Sequence, residues 1–139
     1  MESFALGLMV WISQVSGLPL PDKVPEITRV EPARIASLAK GPGVADPETR
    51  SGYLALYHAD SSTVLLRSDW DMRDLRDRSI LVHELVHHLQ AQAGRDYQCK
   101  GAMEREAYEV QSAWLEARGA DLFEVMNMNG LFLYAVTRC

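Results

Sequence analysis

The segment from Ser79 to Gln90, with the sequence SILVHELVHHLQ, constrains the fold of this chain more than any other. It contains His83-Glu84-Leu85-Val86-His87, an H-E-x-x-H pattern. On a helix, side chains at i and i+4 project from the same side, one turn apart, so these two imidazoles can bind a single metal ion with Glu84 beside them. The segment is therefore predicted to form a helix with a site on one side.

Helical periodicity separates the two sides of this helix. At about 100° per residue, one side is apolar and carries Val82, Leu85, Val86, Leu89 and Ala93. His83, Glu84 and His87 fall on the opposite side, which indicates that they face a site and not the core. His88 points between the two sides, and we expect it to be a core-edge histidine that is hydrogen-bonded to a neighbour rather than a catalytic residue.

Apolar periodicity and turn residues predict the other elements. Helices are predicted at residues 3–16, 32–39, 102–118, 122–126 and 131–136, in addition to the motif helix. The motif helix is expected to start at a cap, Asp74 or Asp77, and to run to Ala93 with a stop at Gly94. Strands are predicted at residues 53–57 and 63–66, joined by a hairpin loop at 58–62, and as a short edge strand around Ile27. Residues 40–51 have the composition of a loop.

Length and element order predict one α+β domain, residues 1–139, in which a small antiparallel or mixed sheet packs against the motif helix and the helix after it. The formal charge of -5 at pH 7 provides no basic patch, so nucleic acid is not an expected partner. No stretch approaches the roughly 20 apolar residues of a membrane span. Residues 4–15 are apolar, but Glu2 stands where an export signal has positive charge, which favours an amphipathic helix.

The helix predicted after the motif supplies candidates for a third ligand, because a catalytic zinc ion usually takes three protein ligands and leaves the fourth position to water. Glu104 lies on the inward face of that helix. The other acids lie on or near its solvated side: Glu106, Glu109 and Glu116. A buried acid is unfavourable unless it is paired or bound to a metal, so Glu104 is predicted to be the ligand, with Glu106 as the alternative. The helix dipole would also favour an acid at the position of Glu104 without any metal.

The segments His83-Glu84-x-x-His87 and Glu104-Arg105-Glu106-Ala107-Tyr108 resemble the gluzincin branch of the zinc metallopeptidases, whose third ligand is the first Glu of an E-x-x-A-D or E-x-x-A-N pattern. This resemblance covers residues 80–108. The chain also resembles a family of small bacterial H-E-x-x-H proteins with no established substrate. The shared features are V-H-E-x-V-H-H-L-Q, A-Y-E-x-Q-x-x-W and a terminal Cys, at residues 82–90, 107–114 and 139. Both resemblances imply a zincin-like fold.

The resemblance has a departure at Tyr108. The larger gluzincins have an Asp four residues after the glutamate ligand, where it holds a zinc-binding histidine. Here a tyrosine stands in that position. Its phenol can accept an imidazole N–H, so Tyr108 is predicted to support a zinc-ligating histidine.

The site and the resemblance together predict a zinc-dependent metallopeptidase that hydrolyses amide bonds of a peptide or protein substrate. One Zn²⁺ ion held by His83, His87 and Glu104 would activate a water molecule, with Glu84 as the general base and then as the proton donor to the leaving amine. The alternative is a zincin-fold protein that binds metal or a partner with little or no turnover.

Two further parts of a peptidase site are less determined. The donor to the developing oxyanion is one of five residues that the sequence does not rank, namely Tyr53, Tyr57, His58, Tyr97 and Tyr108. In zincins the substrate backbone pairs with an edge strand near the motif helix. The strand at residues 63–66 is predicted to be that edge strand.

The two cysteines, Cys99 and Cys139, bear on the compartment. They are not in the C-x-x-C spacing of a zinc or redox motif. A disulfide between them would tie the C-terminus to the segment after the motif helix and would favour an exported, periplasmic or extracellular protein. Two free thiols would instead be usual in a cytoplasmic protein, and the sequence leaves both possibilities open.

Overall fold

The computed structural model describes residues 1–39 and 54–139, in which the chain forms six α-helices and three strands. In chain order these are α1 (Glu2–Ser16), β1 (Glu26–Val30), α2 (Pro32–Ala39), β2 (Ala55–His58), β3 (Thr63–Arg67), α3 (Leu75–Ala93), α4 (Lys100–Glu116), α5 (Leu122–Met126) and α6 (Gly130–Thr137). The architecture is α+β, as predicted, and none of these helices is long and apolar enough to cross a membrane. The predicted loop at residues 40–51 lies outside the described residues.

Local sequence determines both ends of the motif helix α3. The Asp74 carboxylate precedes the helix and accepts a hydrogen bond from the backbone N–H of Asp77 over 2.9 Å, which satisfies one of the N–H groups that the first turn leaves unpaired. At the other end Gly94 has a φ of 64°, a left-handed conformation that glycine adopts without strain. The predicted extent of α3 is therefore confirmed, and Asp74 is its cap.

The sheet has the strand order β1-β3-β2, with β1 parallel and β2 antiparallel to β3. A short 3-10 turn, Ala59–Ser61, joins β2 to β3 in the predicted hairpin. β1 is an edge strand, as expected around Ile27. The prediction that residues 63–66 form the edge strand for a substrate backbone is wrong, because β3 is central. Its backbone groups are hydrogen-bonded to β1 on one side and to β2 on the other, so it cannot accept a further strand.

The core lies around α3, which packs against α1, α4 and the sheet. From Ser79 to Gln90 every residue of α3 is buried except His83, which is partly exposed. The predicted apolar side supplies Val82, Leu85, Val86 and Leu89 to the core, all fully buried. Because α3 is buried on nearly all sides, its polar side chains also have to find partners inside the protein.

The C-terminal segment is attached to the start of α4. Cys99, the residue before α4, forms a disulfide with Cys139, which the sequence left open. Gly101 lies so close to this segment that a Cβ at its position would be 2.2 Å from the carbonyl oxygen of Arg138. The close approach that brings Cys139 to Cys99 therefore depends on a residue without a side chain at position 101.

Candidate metal centre

Two adjacent helices bring the predicted ligands together. His83 and His87 lie one turn apart on α3, and Glu104 lies near the start of α4. Glu104 Oε1 is 2.6 Å from His87 Nε2, and Glu104 Oε2 is 3.2 Å from His83 Nε2. One ligand atom from each side chain lies within 4.8 Å of the others, so this group could hold a metal ion. The side chains are 12%, 10% and 23% exposed for His83, His87 and Glu104, which makes the group accessible from solvent.

Glu106, the alternative ligand, is bound elsewhere. Its Oε1 atom accepts hydrogen bonds from the hydroxyl of Tyr97 over 2.5 Å and from Gln90 Nε2 over 3.0 Å. Residues two positions apart on a helix are separated by about 200° around its axis, so Glu104 and Glu106 project from different sides of α4. The acid that joins the histidines is therefore the one predicted from the inward face of α4.

Two glutamines orient the two imidazoles. The Nδ1 atom of His83 is 2.9 Å from Oε1 of Gln111, and the Nδ1 atom of His87 is 2.8 Å from Oε1 of Gln90. Since an amide oxygen can only accept, each imidazole donates its Nδ1–H and turns Nε2 toward Glu104. Partners of this kind determine the tautomer and ring orientation of metal-ligating histidines.

The orientation of both amides follows from the groups on their other side. Gln90 Nε2 is 2.9 Å from the carbonyl oxygen of Met103, which can only accept. Gln111 Nε2 is 3.1 Å from Ser79 Oγ, whose own proton is donated to the carbonyl oxygen of Arg76. Each amide therefore presents its oxygen to the Nδ1 atom of a histidine. The position of the proton on each imidazole thus follows from hydrogen bonds that the glutamines donate, directly or through Ser79, to backbone carbonyl groups.

Neither glutamine was assigned a role from the sequence, although both stand in sequence positions that indicate one. Gln111 is fully buried and Gln90 is 2% exposed, among apolar residues of their helices. A buried amide needs partners for its oxygen and its nitrogen, so it marks a polar site. Gln90 follows His87 by three residues, a spacing that brings side chains together on a helix surface.

Tyr108 contacts the ring of His83 rather than its nitrogen atoms. The two ring centroids are 4.4 Å apart, with the planes inclined at 66° in an edge-to-face arrangement. The nitrogens of His83 face Gln111 and Glu104, so the acceptor of the imidazole N–H is Gln111 and not, as predicted, Tyr108. Burial and the nearby charges of Glu104 and Glu84 raise the pKa of Tyr108, so its hydroxyl keeps its proton at neutral pH.

Glu84, the acid inside the motif, lies beside the ligand group without ligating. It is 8% exposed, and its Oε2 atom has no hydrogen-bond partner among the described residues. Burial raises the pKa of this carboxyl group, against the opposing effect of His83 and His87. A buried carboxylate oxygen without a partner calls for a further polar group, and a bound water molecule or metal ion in the site would supply it.

The pair formed by His87 and Glu104 holds a proton in the metal-free protein. Burial acts to lower the pKa of His87, but the hydrogen bond and the charge of Glu104 outweigh it and raise the pKa to about 9. Burial acts to raise the pKa of Glu104, and its hydrogen bonds to His83 and His87 outweigh that effect and hold the pKa well below its usual range. A metal ion that binds here must therefore displace a proton from His87.

His88 has the structural role predicted for it. It is 2% exposed, with Nδ1 at 2.9 Å from the hydroxyl of Tyr57 and Nε2 at 3.1 Å from the carbonyl oxygen of Lys23. Burial lowers the pKa of His88, which keeps the ring neutral. These bonds connect α3 to β2 and to the segment before β1, away from the ligand group.

The candidates for an oxyanion donor differ in their distance from the ligand group. Tyr57 is bonded to His88, and Tyr97 to Glu106. His58 is bonded to a serine of its own turn, and Tyr53 lies outside the described residues. Of the described candidates, Tyr108 is the one whose ring contacts a predicted ligand.

Comparison with known proteins identifies a family for the chain. No curated protein and no solved structure matches it. The family described as Domain of unknown function (DUF6647) matches residues 2–139. Since that match covers nearly the whole chain, the protein is a member of the DUF6647 family.

Proposed function

We propose that this protein is a zinc-dependent metallopeptidase that hydrolyses amide bonds in a peptide or protein substrate. The observation that carries the proposal is the convergence of His83 Nε2, His87 Nε2 and the Glu104 carboxylate, with both imidazoles oriented from behind by amide oxygens. Two histidines from one helix and a carboxylate from another make the ligand set of one class of catalytic zinc sites.

The donor atoms suit zinc. Two imidazole nitrogens and one carboxylate oxygen make a three-ligand site that leaves a fourth position open. Calcium, by contrast, takes roughly six to eight oxygen ligands. Zinc bound to this group would polarise a substrate carbonyl and lower the pKa of a coordinated water molecule to about 7.

Glu84 is the residue proposed to move the proton. Its Oε2 atom has no hydrogen-bond partner in the described part of the chain, and its raised pKa brings the carboxyl group closer to the pH at which it can accept a proton and return it. Glu84 accepts a proton from the attacking water and donates it to the leaving amine. Tyr108, which keeps its own proton beside His83, can donate to the oxyanion.

The arrangement of elements supports a zincin-like fold and a gluzincin-like site. A small mixed sheet precedes the motif helix α3, and the next helix, α4, supplies the acid. The disulfide between Cys99 and Cys139 supports export, because such bonds persist in oxidising compartments such as the periplasm or the extracellular space.

Zinc content and proteolysis of matched variants test the proposal. Wild type and Glu84→Gln are expected to bind one zinc ion, whereas Glu104→Ala and His87→Ala are expected to lose it. Glu109→Ala removes an exposed carboxylate from the same helix and should keep the zinc ion, as a control. Cleavage of an unfolded, alkylated protein should occur with wild type and should fall by at least about 100-fold in Glu84→Gln.

Each part of the proposal has an outcome that contradicts it. Full zinc content in Glu104→Ala would exclude this residue as a ligand. Undiminished cleavage by the Glu84→Gln variant would exclude Glu84 as the general base. One zinc ion in wild type without cleavage of any unfolded protein would assign the chain to the alternative class, a metal-binding protein without turnover.

A further inference from the structure

A groove of about 410 Å³ lies between α4, α5 and α6. On α4 the lining includes Tyr108, which lies one turn after Glu104 on the same side of the helix. The lining of the groove includes Tyr108, Ser112, Ala113, Leu122, Phe123 and Leu133. A volume of this size is in the range of small-ligand pockets and leaves room for one large side chain.

One residue of the groove, Tyr108, also contacts the ligand group. Its ring packs against His83, with 4.4 Å between the ring centroids. A ligand in the groove would therefore lie one aromatic ring away from a proposed zinc ligand. A peptide whose scissile carbonyl reaches the ligand group could place a neighbouring side chain in the groove.

The lining of the groove favours an apolar side chain and disfavours an acidic one. Leu122, Phe123 and Leu133 supply its apolar walls. At its rim, Glu109 and Glu116 are exposed carboxylates that would repel an acidic side chain.

Among the described residues that line the groove, Arg105 is the one cation, and it is hydrogen-bonded within the protein. Its Nη2 atom donates to the carbonyl oxygen of Thr137 on α6 over 2.8 Å. The same helix is tied to the start of α4 by the disulfide between Cys99 and Cys139. α4 and α6, two of the helices that bound the groove, are therefore held together before a ligand binds.

We propose that this groove is the specificity pocket of the enzyme and receives an apolar side chain, of the size of leucine or phenylalanine, next to the cleaved bond of the substrate. This inference rests on the proposed peptidase function. It names the substrate class as peptides with a large apolar residue beside the cleavage site.

Binding to the metal-free protein tests the groove without any turnover. The probes are two blocked dipeptides, acetyl-Leu-Leu-amide and acetyl-Ser-Ser-amide, titrated into the full chain while backbone amide resonances are recorded. The leucine peptide is expected to bind roughly 10- to 100-fold more tightly, the ratio expected for burial of one large apolar side chain, and to shift resonances of α4, α5 and α6. Equal binding of the two peptides, or shifts confined to other elements, would overturn the proposal.

Variants separate the groove from the rest of the surface. Ala113→Phe fills the groove, and Leu133→Ser removes an apolar wall. Each should weaken the leucine peptide at least about tenfold. Ala117→Phe places the same ring one turn further along, outside the groove, and should bind like wild type. Undiminished binding by Ala113→Phe and Leu133→Ser would also overturn the proposal.

The cleavage sites in an unfolded protein distinguish this proposal from the function on which it rests. Wild type should cut next to large apolar residues, and Ala113→Phe should lose that preference with its zinc content unchanged. Cleavage without such a preference would overturn the specificity pocket and leave the peptidase in place. Tight binding of the leucine peptide with no cleavage would overturn the peptidase and show that the groove binds apolar ligands for another purpose.

Discussion

The helix pair α3–α4 and the C-terminal helices α5 and α6 are stabilised in different ways. α3 is buried on nearly all sides, and its histidines and glutamines are hydrogen-bonded inside the protein. The C-terminal helices instead expose large apolar side chains: Phe123, Leu131, Phe132 and Tyr134 are 39%, 76%, 47% and 60% exposed. These two helices are joined to the rest by contacts of both helices with α4, by the buried Leu122 of α5 and by the disulfide between Cys99 and Cys139.

This difference matches what the two regions are proposed to do. A metal site requires ligands held within about 0.5 Å, which packing and hydrogen bonds behind the ligands provide. A pocket for an apolar side chain needs less exact positioning of its walls, because the hydrophobic effect is not directional. Regions with few buried contacts also open at a lower free energy than the core.

The largest expected effect is a difference in stability between the two regions. Leu85→Ala, in the core side of α3, should lower the free energy of unfolding by about 2–5 kcal/mol, because it leaves a cavity in a fully buried site. The matched control Leu131→Ala, in α6, should change it by less than about 0.5 kcal/mol, since this side chain is 76% exposed. Urea unfolding followed by circular dichroism measures both. Similar losses of unfolding free energy in Leu85→Ala and Leu131→Ala would contradict the distinction between a buried α3 and a largely exposed α6.

Removal of the disulfide should weaken the C-terminal region selectively. The bond joins residues 40 apart, a loop for which chain entropy predicts about 4 kcal/mol, and native disulfides typically contribute about 2–4 kcal/mol. In the double variant Cys99→Ser, Cys139→Ser, amides of α6 should exchange with solvent faster while the most protected amides of α3 change only with global stability. Amide hydrogen exchange measures this, and equal acceleration in both helices relative to global unfolding would disprove it.

Zinc affinity should rise with pH up to about pH 9. His87 has a pKa of about 9 in the metal-free protein, so below that value zinc has to displace one proton. The apparent affinity should increase about tenfold per pH unit from pH 7 and level off near pH 9, as measured by competition with a chelator of known affinity. Conversely, the stability that the protonated pair gives the metal-free protein is complete below pH 6.5 and is lost as the pH rises through about 9. An affinity that is constant between pH 7 and pH 9 would contradict the proton held at His87.

The smallest expected effect concerns the two glutamines. Gln90→Leu and Gln111→Leu keep the ligands but remove the acceptors that orient the imidazoles, and each should lower zinc affinity by about 10- to 100-fold. Gln92 is an exposed glutamine of α3, the helix that carries Gln90. Gln92→Leu is therefore the matched control and should bind zinc like wild type. Zinc titration of the three variants measures these affinities. Unchanged affinity in Gln90→Leu and Gln111→Leu would show that the two amides contribute packing but do not orient the histidines.

Much of the fold could be predicted because it depends on neighbours in the chain. The extent of α3 follows from Asp74 and Gly94, which act on the first and last turns of the same helix. Glu104 could be named because an acid on the inward face of a helix requires a partner. The order of the strands could not be predicted, since the parallel pairing of β1 with β3 joins segments far apart in the chain.

The sequence by itself predicted the helices to within a few residues, because periodicity and capping are local properties. It also named His83, His87 and Glu104 as candidate metal ligands, with Glu106 as the alternative to Glu104. Only the tertiary structure decided which groups accept hydrogen bonds from the Nδ1 atoms of the histidine ligands. Gln111 meets His83 across 28 positions of the chain, and Cys99 meets Cys139 across 40. Such pairs depend on how the helices pack, and the same packing gave Gln111, rather than Tyr108, the hydrogen bond to His83.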